Sequence, residues 1–110
     1  MIIAMPVMED NGRDSVISEH FGHNPLFAIY DSENMELEIV SVGEHGMGCT
    51  PVGEIMKHGA DTVYTLGIGG RAIDSLKENG IVIKTGGFRK VGDVIDNIGK
   101  LEELREGCGH

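Results

Sequence analysis

Two imidazoles and a glycine fall within six residues at Ser18-Glu19-His20-Phe21-Gly22-His23. Imidazole is a common metal ligand that titrates near neutrality, and glycine lets the backbone approach a bound group closely. Phe21 would shield one side of such a site. A loop histidine taken alone is ordinarily a surface residue, but two further stretches give His20 and His23 company. Gly43-Glu44-His45-Gly46-Met47-Gly48-Cys49 sets a third imidazole, a thioether and a thiol in a glycine loop, and Cys108-Gly109-His110 puts two ligand types at the chain end. Cys49 lies just before a predicted helix, where unpaired N–H groups and the helix dipole stabilise a thiolate. It reads as a soft-metal ligand or redox thiol, although His45-x-x-x-Cys49 matches no diagnostic zinc spacing. Gly67-Ile68-Gly69-Gly70-Arg71 combines glycine backbone, a helix start and a guanidinium, the parts of an anion nest. It lacks the lysine and spacing of a phosphate loop.

The elements that must position these residues follow from periodicity. Ile2 to Val7 is a continuous apolar run, consistent with a central strand buried on both faces, with an end or bulge near Pro6. Glu9 to Gly22 is a long polar loop with an Asn11-Gly12 turn, delivering His20 and His23 to the mouth of that strand. Leu26 to Tyr30 is a second strand, Asp31 to Asn34 a hairpin turn, and Glu36 to Val42 an alternating third strand. The pattern then becomes helical. Thr50-Pro51 starts a helix with Val52, Ile55 and Met56 on one face and Gly59 as its stop. Asp61 to Leu66 is a fourth strand, Ala72, Ile73 and Leu76 face inward from a second helix, and Ile81 to Ile83 is a fifth strand. Val91, Val94, Ile95 and Ile98 mark a third helix that breaks at Gly99. The five methionines beyond the first read mostly as core filler, Met47 excepted. The order is βββαβαβα, an α/β fold with a mixed five-stranded sheet. Right-handed crossovers put the loops at residues 8–24, 43–50, 67–71 and 85–89 at one edge, outside the carboxyl ends of the parallel strands.

Composition excludes several classes. A chain of 110 residues is expected to form one domain over residues 1–106, with 107–110 as a Cys- and His-containing tail. From Gly99 to Cys108 an extended chain spans roughly 30 Å, so the tail has the reach to return to the loops. Nine Lys and Arg against eighteen Asp and Glu give a formal charge of −9, unfavourable for nucleic acid. No run is long and apolar enough to span a bilayer, so no membrane partner is expected. Without a signal-type segment or a disulfide framework, a cytoplasmic location with reduced thiols is expected.

The start Ile3-Ala4-Met5-Pro6-Val7, the stretch Ser18 to His23, the turn Gly67 to Gly70 and the order of elements together resemble the dinitrogenase iron-molybdenum cofactor biosynthesis family. This is the NifX-like group that also includes the C-terminal domain of NifB. The resemblance covers nearly the whole chain. It implies a ribonuclease H-like fold and binding of iron-sulfur or iron-molybdenum cluster precursors for metalloenzyme assembly. It also implies that the histidine of the His-Phe-Gly motif, His20, is a favoured ligand. The roles of Cys49, Cys108 and His110 rest on their chemistry alone. A two-metal nuclease, which that fold would also permit, needs carboxylates on the central strands, and Ile2 to Val7 has none.

The expected function is therefore a non-catalytic metallocluster carrier or scaffold. His20 and Cys49, joined by His23 or His45 and by Cys108 and His110 if the tail reaches, would be metal ligands. Phe21, Gly22, Gly67, Gly69, Gly70 and Arg71 would line the site. The expected partners are a metallocluster and a cluster-assembly or client metalloprotein, with the chain itself a monomer or weak homo-oligomer. The alternatives are a small-molecule- or anion-sensing module built on Gly67 to Arg71, or a mononuclear zinc or iron protein.

Overall fold

The computed structural model describes residues 1–19, 26–41, 51–66 and 70–103. Strands β1 (Ile2–Val7), β2 (Leu26–Asp31) and β3 (Glu36–Ser41) precede helix α1 (Pro51–Lys57). Strand β4 (Thr62–Tyr64), helix α2 (Gly70–Glu78), strand β5 (Val82–Thr85), helix α3 (Val91–Asp96) and strand β6 (Glu102–Glu103) follow. Among the described residues the six strands form one mixed sheet in the order β3-β2-β1-β4-β5-β6. The antiparallel meander of β1, β2 and β3 and the parallel pairing of β1, β4 and β5 agree with the sequence reading.

Alternation along β1 explains its unbroken apolar run. Ala4 enters one core layer with Phe27, Ile55, Val63, Ile73 and Leu76, beneath α1 and α2. Ile3, Met5 and Val7 enter the other with Ala28, Tyr64, Val91 and Val94, beneath α3. Both faces of a central strand are buried, so neither can be polar.

Four expectations need correction. The sheet has six strands, not five, because Glu102 and Glu103 pair antiparallel with Thr85 and Lys84. Glutamates have low strand propensity, and the pairing is made by backbone, so this edge strand has no side-chain signature. The expected end near Pro6 is present, since β1 stops at Val7. The recorded pairing with β4 covers only Ile3 and Ala4, and beyond it the Pro6 carbonyl accepts from the Ser18 N–H at 2.8 Å. A proline is tolerated where its missing N–H breaks no ladder bond. Met56, expected on the inner face of α1, is 39% exposed, and Met8 and Met35, expected in the core, are 67% and 78% exposed. Met35 instead closes the β2–β3 turn in the left-handed region at φ 57°.

Candidate functional site

Register places the carboxyl ends of four strands on one edge. Val7 pairs with Leu26 and Leu26 with Ser41; Ala4 pairs with Val63 and Val63 with Ile83. Strands β1, β3, β4 and β5 therefore point the same way. The residues that flank 20–25 are Glu19 and Leu26, those that flank 42–50 are Ser41 and Pro51, and those that flank 67–69 are Leu66 and Gly70. Glu19, Leu26, Ser41 and Leu66 belong to this edge, where open α/β sheets bind ligands.

The lead-in to His20 is held by a backbone latch. Met8 N–H donates to the Val16 carbonyl at 3.0 Å, Ile17 N–H to the Arg89 carbonyl at 2.7 Å, and Val91 N–H to the Ser15 carbonyl at 3.1 Å. Single bridges join Val7 to Ile17 and Val16 to Lys90. The segment 15–18 thus lies between the end of β1 and the approach to α3, with Ser15, Ile17 and Ser18 buried. Its start is turned by Asn11-Gly12, where Gly12 takes φ 59° and the Asn11 N–H donates to Ser15 Oγ at 2.8 Å. At its end, Arg89 lies 3.3 Å from the Glu19 carboxylate. Both side chains are more than 60% exposed, so this pair guides geometry more than it stabilises. Below the edge, the buried Tyr64 hydroxyl donates to the Phe88 carbonyl at 2.7 Å. Burial pushes the Tyr64 phenol above its ordinary range.

The latch and Arg89 were absent from the sequence reading. Val16-Ile17, an apolar pair inside an otherwise polar loop, is the one signal that marks them.

Of the residues expected at the site, His20, Phe21, Gly22, His23, His45, Cys49, Gly67, Gly69, Cys108 and His110 lie outside the described residues. Gly70 opens α2 and Arg71 is its second residue. The first turn of α2 carries no acidic residue, and the positive end of a helix dipole favours an anion. Among the described residues no three His, Cys, Asp or Glu side chains stand close enough together to hold a metal ion. The last described residue, Glu103, pairs with Lys84, one position in from the carboxyl end of β5. Five residues of chain from there to Cys108 reach at most about 17 Å. Among the described residues no helix is long and apolar enough to cross a membrane.

Comparison with known proteins agrees with this architecture. The sequence profile of the family described as dinitrogenase iron-molybdenum cofactor matches residues 1–101. The solved structure of PH0822 is similar at 37% identity and a TM-score of 0.80, covering 94% of this chain and 96% of that one. The structure of TM1290 from Thermotoga, described as a candidate NifB protein, is 28% identical with a TM-score of 0.76, covering 96% of this chain and 98% of that one. The apo form of the orange protein from Desulfovibrio gigas shares the fold at 22% identity and a TM-score of 0.79, covering 96% and 93%. No curated protein matches the chain.

Proposed function

This chain belongs to the dinitrogenase iron-molybdenum cofactor family, and on that premise we propose that it is a non-catalytic carrier or scaffold for a metallocluster of the iron-sulfur or iron-molybdenum type. The cluster is its cargo. The observation that carries this reading is the common edge: the described residues that lead into 20–25, 42–50 and 67–69 lie at the carboxyl ends of β1, β3 and β4. Those three runs contain His20, His23, His45 and Cys49, together with the glycines before Arg71.

In this reading His20 and Cys49, with His23 or His45, bind the cluster, and soft thiolate beside imidazole suits iron-sulfur chemistry. Phe21 and Gly22 wall the site, while Gly67, Gly69, Gly70 and Arg71 offer N–H groups and a cation to an anionic cargo. Cys108 and His110 serve as further donors or as a handover point to the partner, a cluster-assembly or client metalloprotein. Few ligands at an open edge favour release. We read residues 1–106 as the binding domain and 107–110 as its tail, acting in the cytoplasm. Strand order 3-2-1-4-5 with β2 antiparallel supports a ribonuclease H-like description of the fold.

Anaerobic incubation of the reduced protein with iron and sulfide, followed by desalting, tests this directly. A sulfide-containing chromophore is expected that is lost in His20→Ala or Cys49→Ala, monitored by iron and sulfide content and by visible and paramagnetic resonance spectra. Iron retained without sulfide replaces the reading with a mononuclear site. The start of α2, with no acidic residue in its first turn, favours an anion-binding module as the second reading, which predicts loss of bound anion in Arg71→Ala with metal content unaffected.

A further inference from the structure

Carboxylates are distributed along this chain, but cations are not. Residues 14–56 hold eight of the eighteen carboxylates and none of the nine Lys and Arg, while the remaining residues carry ten carboxylates against nine cations. Sheet order makes this asymmetry spatial. β2 and β3 come from the cation-free stretch and form one half of the sheet, with Arg13 of the turn Gly12–Asp14 the cation nearest to β3, while β5, with Lys84, lies on the other side of β1.

The acidic half ends in an open strand. β3 is terminal in the sheet, and among the described residues no strand pairs with its outer edge. Exposed Glu36 and Glu38 alternate with half-buried Leu37 and Ile39. Glu36 stands directly opposite Asp31 on β2, a like-charge pair that disfavours the sheet. The Asp31 carboxylate is already committed, accepting from Asn34 Nδ2 at 2.8 Å and from the Glu33 N–H at 2.9 Å. On the same side, a groove of about 330 Å³ is lined by Ile2, Ile29, Asp31, Glu36, Leu37, Glu38 and His58.

We propose that the outer edge of β3 docks an extended segment of a partner protein that carries Lys or Arg at alternate positions with apolar residues between. An open edge is a template for a further strand, whose main chain supplies affinity and whose alternate side chains supply selectivity. The period of two at Glu36 and Glu38 sets the spacing of the partner's cations, and Leu37 and Ile39 on the opposite face receive its apolar residues. A second copy of this chain is disfavoured, because it would bring the same carboxylates edge to edge. Ser41, the last described residue of β3, leads into 42–50, so a partner strand seated here runs to the edge where the cargo site is proposed. The docking edge is separate from that site and stands whatever the cargo.

The test uses the metal-free protein with a capped eight-residue peptide of alternating Lys and Val, followed by amide chemical shifts and hydrogen exchange. Expected are shifts concentrated on residues 36–41, slowed exchange of β3 amides, and binding weakened about tenfold in Glu36→Lys/Glu38→Lys and weakened by added salt. Asp74→Lys/Glu78→Lys, at two exposed positions of α2, serves as a charge-matched control and retains wild-type affinity. Dispersed amide spectra of both variants establish that they fold. The proposal is overturned if millimolar peptide produces no shifts, or if shifts spread over the acidic surface. Equal binding of a peptide with the same lysines placed contiguously also overturns it. Because no metal is present, neither result bears on the cluster reading.

Discussion

At the scale of single residues, two side chains make the clearest predictions. Tyr64 is fully buried and its hydroxyl serves the Phe88 carbonyl; Tyr64→Phe leaves that carbonyl unpaired and costs about 1 kcal/mol in denaturant melts. Burial raises the Tyr64 phenol above its ordinary value of 10.0, so the folded state keeps the proton when the unfolded chain begins to lose it. Its contribution is complete below that pH and falls as pH rises through the folded-state value. Thermal melts between pH 8 and 11, compared with Tyr64→Phe, should show the steeper alkaline loss in the wild-type protein. Asp31 has the opposite sign. The Asn34 side-chain amide, aided by the Glu33 and Asn34 N–H groups, holds its carboxyl below the ordinary 3.8. The turn is therefore supported above that value and weakens as pH falls through the lower folded-state value, which a carboxyl titration by NMR would follow. The chemical types of His20 and Cys49 were legible in the sequence because ligand chemistry resides in the side chain itself. The Tyr64–Phe88 bond was not, because it joins positions 24 residues apart through a backbone carbonyl that every residue possesses.

Among the elements, two glycines separate packing from propensity. Gly92 lies in α3, and a Cβ there would meet the Arg13 carbonyl at 3.2 Å. Replacing a helical glycine by alanine gains at most about 1 kcal/mol of propensity, whereas overpacking costs about 1–3. Gly92→Ala should be net destabilising and should loosen the latch, visible as faster exchange of the Ile17 and Val91 amides. Gly99→Ala meets nothing within 4 Å and should be neutral or stabilise by up to about 1 kcal/mol through the unfolded chain. The strands and helices whose apolar period agrees with their burial were readable in advance, β1 and α2 most plainly. β6 and the 15–18 latch were not, since both are backbone pairings between segments distant in sequence, and glutamates or a polar loop give no period to detect. Met56 was misassigned for the reverse reason: helical spacing identified a face of α1 without fixing how far that face extends under the sheet.

For the whole molecule, charge is the governing property. With a net charge of −9, of which −8 falls within residues 14–56, self-repulsion opposes the compact state, and raising salt from about 0.01 to 0.15 M shortens the screening length from about 30 to 8 Å. The melting temperature should rise over that range. A fall would mean that the exposed pairs Arg13–Asp96 and Arg89–Glu19 outweigh the repulsion. The total charge was evident from composition, but its one-sidedness acquired meaning only when the strand order set β2 and β3 together at one side. Aromatic content has a consequence of its own. The chain has no tryptophan and two tyrosines, both buried. Tyr30 pairs with Ile3 near the start of β1, whereas Tyr64 lies at the carboxyl end of β4 beneath the edge where cargo is proposed to bind. A strongly absorbing cluster held there would drain tyrosine emission by energy transfer, more from Tyr64 than from Tyr30. The unlabelled protein thus carries its own optical gauge of loading, calibrated by the residual emission of Tyr64→Phe.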